Sequence, residues 1–305
     1  MASCRIEAPA KINLTLEILG KRPDGYHDIR SVVTPIALHD TVELRIASED
    51  SLEAVADGVP IGAIGPAEDN LCLKAVRLFR ARFSFPFGVA IRLVKRIPIG
   101  GGLGGGSSDC AATLVGLAAL SGVDSSYETL FPLAASLGSD IPALLHGGVV
   151  LMEGRGERVS PLRRSDGRPV VPAMDIVLAN PGVHVSTAAA YRFATGLLTS
   201  DRFSSNILHS PLCSESVSTF AAGLFNGFEQ AVFGQYPEVA RLADLFRKAG
   251  AQGVLMSGIG STVFALAKDP VDANRIKRAM PGQYWCEVSQ TMPDGVMAAH
   301  GPLEP

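Results

Sequence analysis

Apolar residues at Ile12, Leu14, Leu16 and Ile18 alternate with polar or small ones, the period of a strand with one buried face. The alternation runs into Gly20-Lys21-Arg22-Pro23-Asp24-Gly25, a cluster of turn residues. Further strands are predicted over 32–37 and 42–46. Asp69 is placed to cap a helix with Leu71, Ala75, Leu78, Phe79 and Phe83 on its apolar face. A strand over 89–94 ends at Pro98. After a glycine run, 107–120 reads as a helix of small apolar residues. Ser125 and Glu128 form a capping box for the next helix, which Gly138 ends.

Beyond a buried strand at 149–152, the stretch 154–172 is charged and rich in turn residues. The chain is divided there, into lobes 1–158 and 159–305. The second half reads as a strand at 175–179 and a helix at 237–248 closed by Gly250. Two short strands around Ser257-Gly258-Ile259-Gly260-Ser261, a helix at 271–280 and a strand at 285–288 follow. This order does not repeat βα units, so an α+β fold in two lobes is expected rather than a doubly wound sheet.

Composition narrows the function classes. At about 150 residues per domain, 305 residues suit about two domains. With 47% hydrophobic and 19% charged residues, general disorder is excluded. A net charge of −3 leaves no basic footprint for nucleic acid or an anionic membrane. The five cysteines are scattered without a CxxC pair and read as reduced thiols. Arg5 and Glu7 interrupt any signal peptide, and the longest charge-free stretch, 249–267, is too rich in glycine and hydroxyl residues to span a membrane. A cytoplasmic protein acting on a small molecule is expected, as a monomer or homodimer.

The strongest local signal is Pro98-Ile99-Gly100-Gly101-Gly102-Leu103-Gly104-Gly105-Gly106-Ser107-Ser108-Asp109, between a strand and a helix. Six glycines in seven positions cost much backbone entropy, and they let N–H groups approach an anion closely. The helix start adds unpaired donors and positive potential, so phosphate binding follows. No lysine follows the glycines, so this is not a Walker A loop. The match of Gly100, Gly102 and Gly105 to a dinucleotide fingerprint is cheap in so glycine-rich a run.

Other residues carry two readings each. Lys11 and Asn13 share a strand face, either exposed or turned into a cleft. Asp140 precedes an apolar run, as an N-cap does, and also as a general base beside a phosphate loop does. Tyr26 and His27 fit turn packing or stacking on a base. Residues 257–261 fit a tight hairpin or a second functional glycine loop. His39, His146, His184, His209 and His300 show no metal-ligand spacing and read as structural or surface residues.

Pro9-Ala10-Lys11-Ile12-Asn13-Leu14, the run 98–108 and the run 257–261 together resemble the GHMP small-molecule kinases. Finer marks are Arg22-Pro23-Asp24-Gly25-Tyr26-His27, Glu68-Asp69-Asn70-Leu71, Leu137-Gly138-Ser139-Asp140-Ile141-Pro142 and Asn180-Pro181-Gly182-Val183. They resemble the branch whose acceptor alcohol carries a cytidine diphosphate group. The resemblance implies an N-terminal glycine-loop lobe and a ferredoxin-like C-terminal lobe. It also implies phosphoryl transfer from ATP to the C2 hydroxyl of a methylerythritol unit, in the non-mevalonate isoprenoid pathway. Asp140 would be the base and Lys11 would orient it. Pro98, Gly100, Gly101, Gly102, Leu103, Gly104, Gly105, Gly106, Ser107 and Ser108 would form the ATP phosphate cradle. Asn70 and Lys95 would hold adenine. Tyr26 and Tyr191 would sandwich cytosine, His27 would bond its edge, and Asn13 and Thr187 would hold the acceptor, with Ser257, Gly258, Gly260 and Ser261 as the third glycine motif. Mg²⁺ is expected with the ATP, without assigned ligands. Ile259, where the family has a small residue, and Ala143, where it has an aromatic, depart from the pattern.

Overall fold

The structure is a computed structural model that describes residues 2–23, 27–59, 69–193, 210–295, 297 and 299–300. Its first sheet is organised on one long strand. β1 (Ser3–Asn13) and β2 (Thr15–Lys21) pair antiparallel along one edge of β3 (His27–Ala47). β4 (Ser51–Ala56) runs parallel to β5 (Gly88–Lys95), and β5 takes the other edge of β3 near its end. β6 (Val150–Gly154) takes that same edge near the start of β3, and β7 (Arg158–Pro161) extends it. The expected change of lobe at 158–159 therefore falls at the first residue of β7. The two strands expected at 32–37 and 42–46 are a single strand. The polar interruption at His39 and Asp40 stays in register opposite Pro9 and Ala8, because main-chain pairing does not depend on side-chain polarity.

Helices α1 (Leu71–Phe83), α2 (Gly105–Ser121), α3 (Tyr127–Leu137) and α4 (Ile141–His146) cover one face of this sheet. Two caps sit one residue later than expected. Asn70, not Asp69, accepts the Cys72 N–H at 2.9 Å. Ser126, not Ser125, accepts the Thr129 N–H at 3.4 Å. α2 begins earlier than expected, because Gly104 at φ 71° turns the chain directly into the helix. Its small residues let it lie flat on β1 and β3: a Cβ on Gly116 would stand 2.2 Å from Leu44 Cδ1.

The second sheet has the order β10 (Val254–Met256), β11 (Val263–Leu266), β8 (Asp175–Asn180), β12 (Trp285–Gln290) and is antiparallel throughout. β8 (Asp175–Asn180) is followed by α5 (Thr187–Phe193), α6 (Val217–Ala221), the two-residue β9 (Phe225–Asn226), α7 (Glu229–Gln235) and α8 (Pro237–Lys248). Then come β10 (Val254–Met256), β11 (Val263–Leu266), α9 (Pro270–Arg278), β12 (Trp285–Gln290) and β13 (Ala299–His300). With α8 and α9 packed on one side, this is the expected ferredoxin-like lobe. Strand alternation divides its two faces. Val177, Ala179, Val263 and Ala265 pack with Leu242, Phe246 and Ile276 of α8 and α9. Ile176, Leu178, Phe264 and Leu266 share a core with Ala10 and Ile12 of β1 and with Leu14 just after it. The lobes are joined by this shared core. β9 and β13 also return to the first sheet, beside β2 and β1. Among the described residues no helix is long and apolar enough to cross a membrane.

Candidate active site

The glycine loop leaves β5, turns at Pro98 and enters α2, and contacts from distant parts of the chain hold it. Thr262 N–H donates to Gly101 O at 3.0 Å, Ser257 Oγ to Gly102 O at 3.0 Å, and Lys11 N–H to Leu103 O at 2.9 Å. Asn180 Nδ2 supports this clasp by donating to Thr262 Oγ1 at 2.9 Å. Gly102 admits no side chain: its φ is 79°, and a Cβ would stand 2.2 Å from Ser257 O. The loop at 257–261, open to two readings in the sequence, is thus the connection from β10 to β11 that clamps the glycine loop. Gly258, at φ 58°, brings its backbone against Lys11 Nζ and Asn13 Oδ1.

These loops border one cleft of about 630 Å³ between the lobes. Gly105, Gly106 and Ser107 at the start of α2 line it, with Gly100, Gly101, Gly102 and Gly104. Two of the expected phosphate contacts have other employment. The buried Ser108 hydroxyl donates to Pro9 O at 2.7 Å, and the Leu103 side chain belongs to the core between the lobes.

Lys11 and Asn13 turn inward. Lys11 Nζ donates to Asn13 Oδ1 at 2.6 Å and lies 3.7 Å from Asp140 Oδ2. Asn13 Nδ2 donates onward to Ser31 Oγ at 2.7 Å. Burial lowers the Lys11 pKa, and the Asp140 carboxylate partly restores it. Asp140 stands at the N-cap position of α4 but makes no capping hydrogen bond. Its side chain is 38% exposed, facing a cleft that can hold substrate. Of the two sequence readings, this geometry leaves the carboxylate available for chemistry.

Lys95 and Asn70 both line the cleft, as expected of the adenine end. The Lys95 ammonium, however, is buried between the carboxylates of Asp40 and Asp109. Burial pulls its pKa down, and the two carboxylates outweigh that and hold it above the usual lysine value. Asp40 also accepts the Arg96 and Ile97 N–H groups at 2.5 and 2.9 Å, so the cluster ties the end of β5 to the first turn of α2. Two buried carboxylates share one cation. Burial, with the Asp40 charge added, raises the Asp109 pKa to about 7.

A carboxyl whose folded pKa exceeds its unfolded value binds its proton more tightly when folded. Its contribution favours folding at low pH and is lost as pH rises from about 4 towards about 7. Asp109→Asn is therefore expected to gain stability relative to the wild type across that window. Urea melts of both proteins at pH 5 and pH 8 measure the difference. An unchanged difference would mean that Asp109 does not change its protonation between pH 5 and pH 8, against the raised pKa.

His27 is buried, with Nδ1 unpartnered among the described residues. Its ring stacks on Tyr191 at 4.8 Å and 18°. Burial, then the Lys21 charge, lowers its pKa. Tyr191 lines the cleft and meets Phe228 edge-on at 4.9 Å. Burial, with the Asp140 charge added, pushes its hydroxyl up to about 12. Tyr26 lies outside the described residues, and Thr187 begins α5. Ile259 lines the cleft while packing against the outer core of the second lobe. Ala143 is buried with Val33, Val150 and Met152.

Sequence reasoning missed Asp40 and Arg155 and took His184 for a structural or surface residue. The His184 ring lies so close to Gly100 that a Cβ there would stand 2.7 Å from its Nδ1, and it lines the cleft. The charged residue within the apolar run of β3 was the available signal for Asp40. Nothing local marked the other two. His209 lies outside the described residues.

Comparison with known proteins places this cleft in context. The family model for the GHMP kinases N terminal domain matches residues 70–148, and that for GHMP kinases C terminal matches 208–285. A Pelotomaculum thermopropionicum protein named 4-diphosphocytidyl-2-C-methyl-D-erythritol kinase is 39% identical over 269 residues, covering 88% of this chain and 91% of its own. A Bacillus cereus protein of the same name is 36% identical over 290 residues, covering 92% and 93%. The crystal structure of a 4-(cytidine 5'-diphospho)-2C-methyl-D-erythritol kinase superposes with a TM-score of 0.77 at 32% identity, over 94% of this chain and 98% of that one. A homoserine kinase from Cytophaga hutchinsonii shares the fold, with a TM-score of 0.70 at 18% identity over 98% of both chains. The chain belongs to the 4-diphosphocytidyl-2-C-methyl-D-erythritol kinases, a branch of the GHMP kinases, and is an ATP-dependent kinase.

Proposed function

We propose that this chain, acting in the cytoplasm, transfers the γ-phosphoryl group of ATP to the C2 hydroxyl of 4-diphosphocytidyl-2-C-methyl-D-erythritol, in the non-mevalonate pathway to isoprenoid precursors. The observation that carries this is the Lys11–Asp140 pair, 3.7 Å apart and lining one cleft with the glycine loop. Asp140 accepts the hydroxyl proton as the C2 oxygen attacks phosphorus. Lys11 lies beside the carboxylate and steadies the oxygen in line. Asn13 holds Lys11 in place and meets the acceptor. The glycine-loop N–H groups and the start of α2 hold the ATP phosphates by preorganised donors, which lower the barrier without reorganising. Asn70 and Lys95 wall the adenine end. The Ser107 hydroxyl is a hard oxygen donor lining the cleft at the start of α2, and it would fit a Mg²⁺ ion that arrives on ATP. Such an ion neutralises charge on the phosphates.

Cytosine recognition falls to Tyr191 and His27, with Tyr26 and Thr187 expected beside them. The base would stack on Tyr191 with His27 at its edge, so the imidazole leaves the ring face it now covers. Stacking on an aromatic ring is worth ~1–3 kcal/mol per base, so Tyr191→Ala is expected to raise the acceptor KM roughly 5- to 150-fold. The KM for ATP stays near wild type, as steady-state kinetics with each substrate varied will measure. Equal weakening of both substrates would contradict this role. The reaction itself is tested by phosphorus NMR of the product. A new monophosphate ester coupled to the C2 centre, with the diphosphate intact, is expected. A phosphate on any other oxygen would overturn the assignment.

A further inference from the structure

The loop at 257–261 belongs to the second lobe, yet it meets Lys11 on a strand of the first. A Cβ on Gly258 would stand 3.3 Å from Lys11 Nζ, 3.4 Å from Asn13 Oδ1 and 3.1 Å from Gly102 O. The Gly258 backbone is therefore one wall around the Lys11 ammonium. Lys11 carries its charge on a flexible four-carbon stem, so where the ammonium rests depends on such walls.

Asn226 sets the position of this one. It is buried in β9, and its Nδ2 donates to Met256 O at 2.8 Å and to Gly258 O at 2.7 Å. Its Oδ1 accepts the Phe228 N–H at 2.9 Å. Two carbonyls facing one end and an N–H facing the other fix the amide in a single orientation. Glu229 Oε1 accepts the Met256 N–H at 2.8 Å, so the residue that leads into the loop is held at both its N–H and its carbonyl. The far end of the loop is held separately, by Asn180 on Thr262 and by Ser261 Oγ on Val183 O at 2.6 Å.

β9 is itself anchored beside the strands that carry Lys11. The Phe225 N–H donates to Leu14 O at 3.1 Å and the Gly227 N–H to Leu16 O at 2.8 Å, with Asn226 opposite Leu16 of β2. Leu14 directly follows Asn13. A circuit closes: from Lys11 along the chain to β2, across to β9, through the Asn226 amide to Gly258, and back to Lys11.

We infer that Asn226 is a positioning residue for phosphoryl transfer: by holding Gly258 in register with β2, it fixes the Lys11 ammonium beside Asp140. This rests on the reading that Lys11 steadies the attacking oxygen. The test is a double-mutant cycle on the full-length enzyme, with kcat read from ATP consumption at saturating substrates, well below the lowest melting temperature. Asn226→Ala should lower kcat about 10- to 100-fold, the scale on which misplacing a catalytic group by up to about 1 Å acts. In a Lys11→Met background the same substitution should change kcat by less than about twofold, because residues that act through one another are not additive. Leu242→Ala empties part of the α8 core away from the loop. It should lower the melting temperature and leave kcat near wild type. If Asn226→Ala does not fold, Asn226→Ser runs the same cycle: its hydroxyl keeps the local turn to the Phe228 N–H and is too short to reach both carbonyls. An equal fold-loss in both backgrounds, unchanged kcat in Asn226→Ala, or an equal loss in Leu242→Ala would overturn the inference and leave the role of Lys11 standing. Unimpaired turnover in Lys11→Met alone would overturn both.

Discussion

Asp140→Asn is expected to lower kcat by about 10²–10⁴, the range over which a positioned general base contributes. The substitution keeps the shape of the side chain and removes only the proton acceptor. Little stability is lost with it: the carboxylate makes no capping hydrogen bond, is 38% exposed and meets Lys11 only at 3.7 Å. The KM values should therefore move little, since neither the glycine loop nor the Tyr191 end of the cleft is disturbed. Steady-state kinetics and a thermal melt on one preparation check this. Near-normal turnover would remove Asp140 from the chemistry and return it to a helix-start residue.

Lys11→Met is expected to lower kcat by roughly 10²–10³, the usual cost of removing one preorganised charge-stabilising donor. The melting temperature should fall only modestly, far less than the rate. Methionine fills nearly the same volume beside Gly104, against which the Lys11 chain packs. Replacing a buried member of an ion pair by an apolar residue of similar size is often neutral, provided its partner is not left buried. Of its two partners, Asp140 keeps its contact with water, whereas the buried Asn13 Oδ1 loses its donor, a cost of about 1–3 kcal/mol. A surface strand lysine would show the reverse, with activity intact. Rates and melts together separate these outcomes, and unimpaired turnover would refute the role.

What was legible in the sequence was local. The glycine run announces itself because such a run is entropically costly. Lys11 and Asn13 share a face because strand period dictates it, and Asp140 stands out as a carboxylate before an apolar turn. The ferredoxin-like order of the second lobe came with the family resemblance rather than with periodicity. Caps slipped by one residue at Asn70 and Ser126, because Asp, Asn and Ser all cap well and backbone geometry decides among neighbours. The rest depends on contacts between distant residues. Nothing near Gly101 foretells that Thr262 will donate to its carbonyl, and nothing near Lys95 foretells Asp40. The break at His39 and Asp40 looked like a gap between strands, because a buried aspartate in a strand makes sense only once its lysine partner is present. Arg155 reads as one charge among several in a polar turn until it is seen lining the cleft.

The central claim is that this cleft phosphorylates an alcohol bearing cytidine diphosphate. It is tested most directly by initial rates of ATP consumption with 4-diphosphocytidyl-2-C-methyl-D-erythritol, homoserine and mevalonate, measured in parallel on the same enzyme. The account predicts sustained, stoichiometric turnover with the cytidine diphosphate ester and no turnover above background with the other two. A kcat/KM for homoserine or mevalonate equal to or above that for the ester would contradict it.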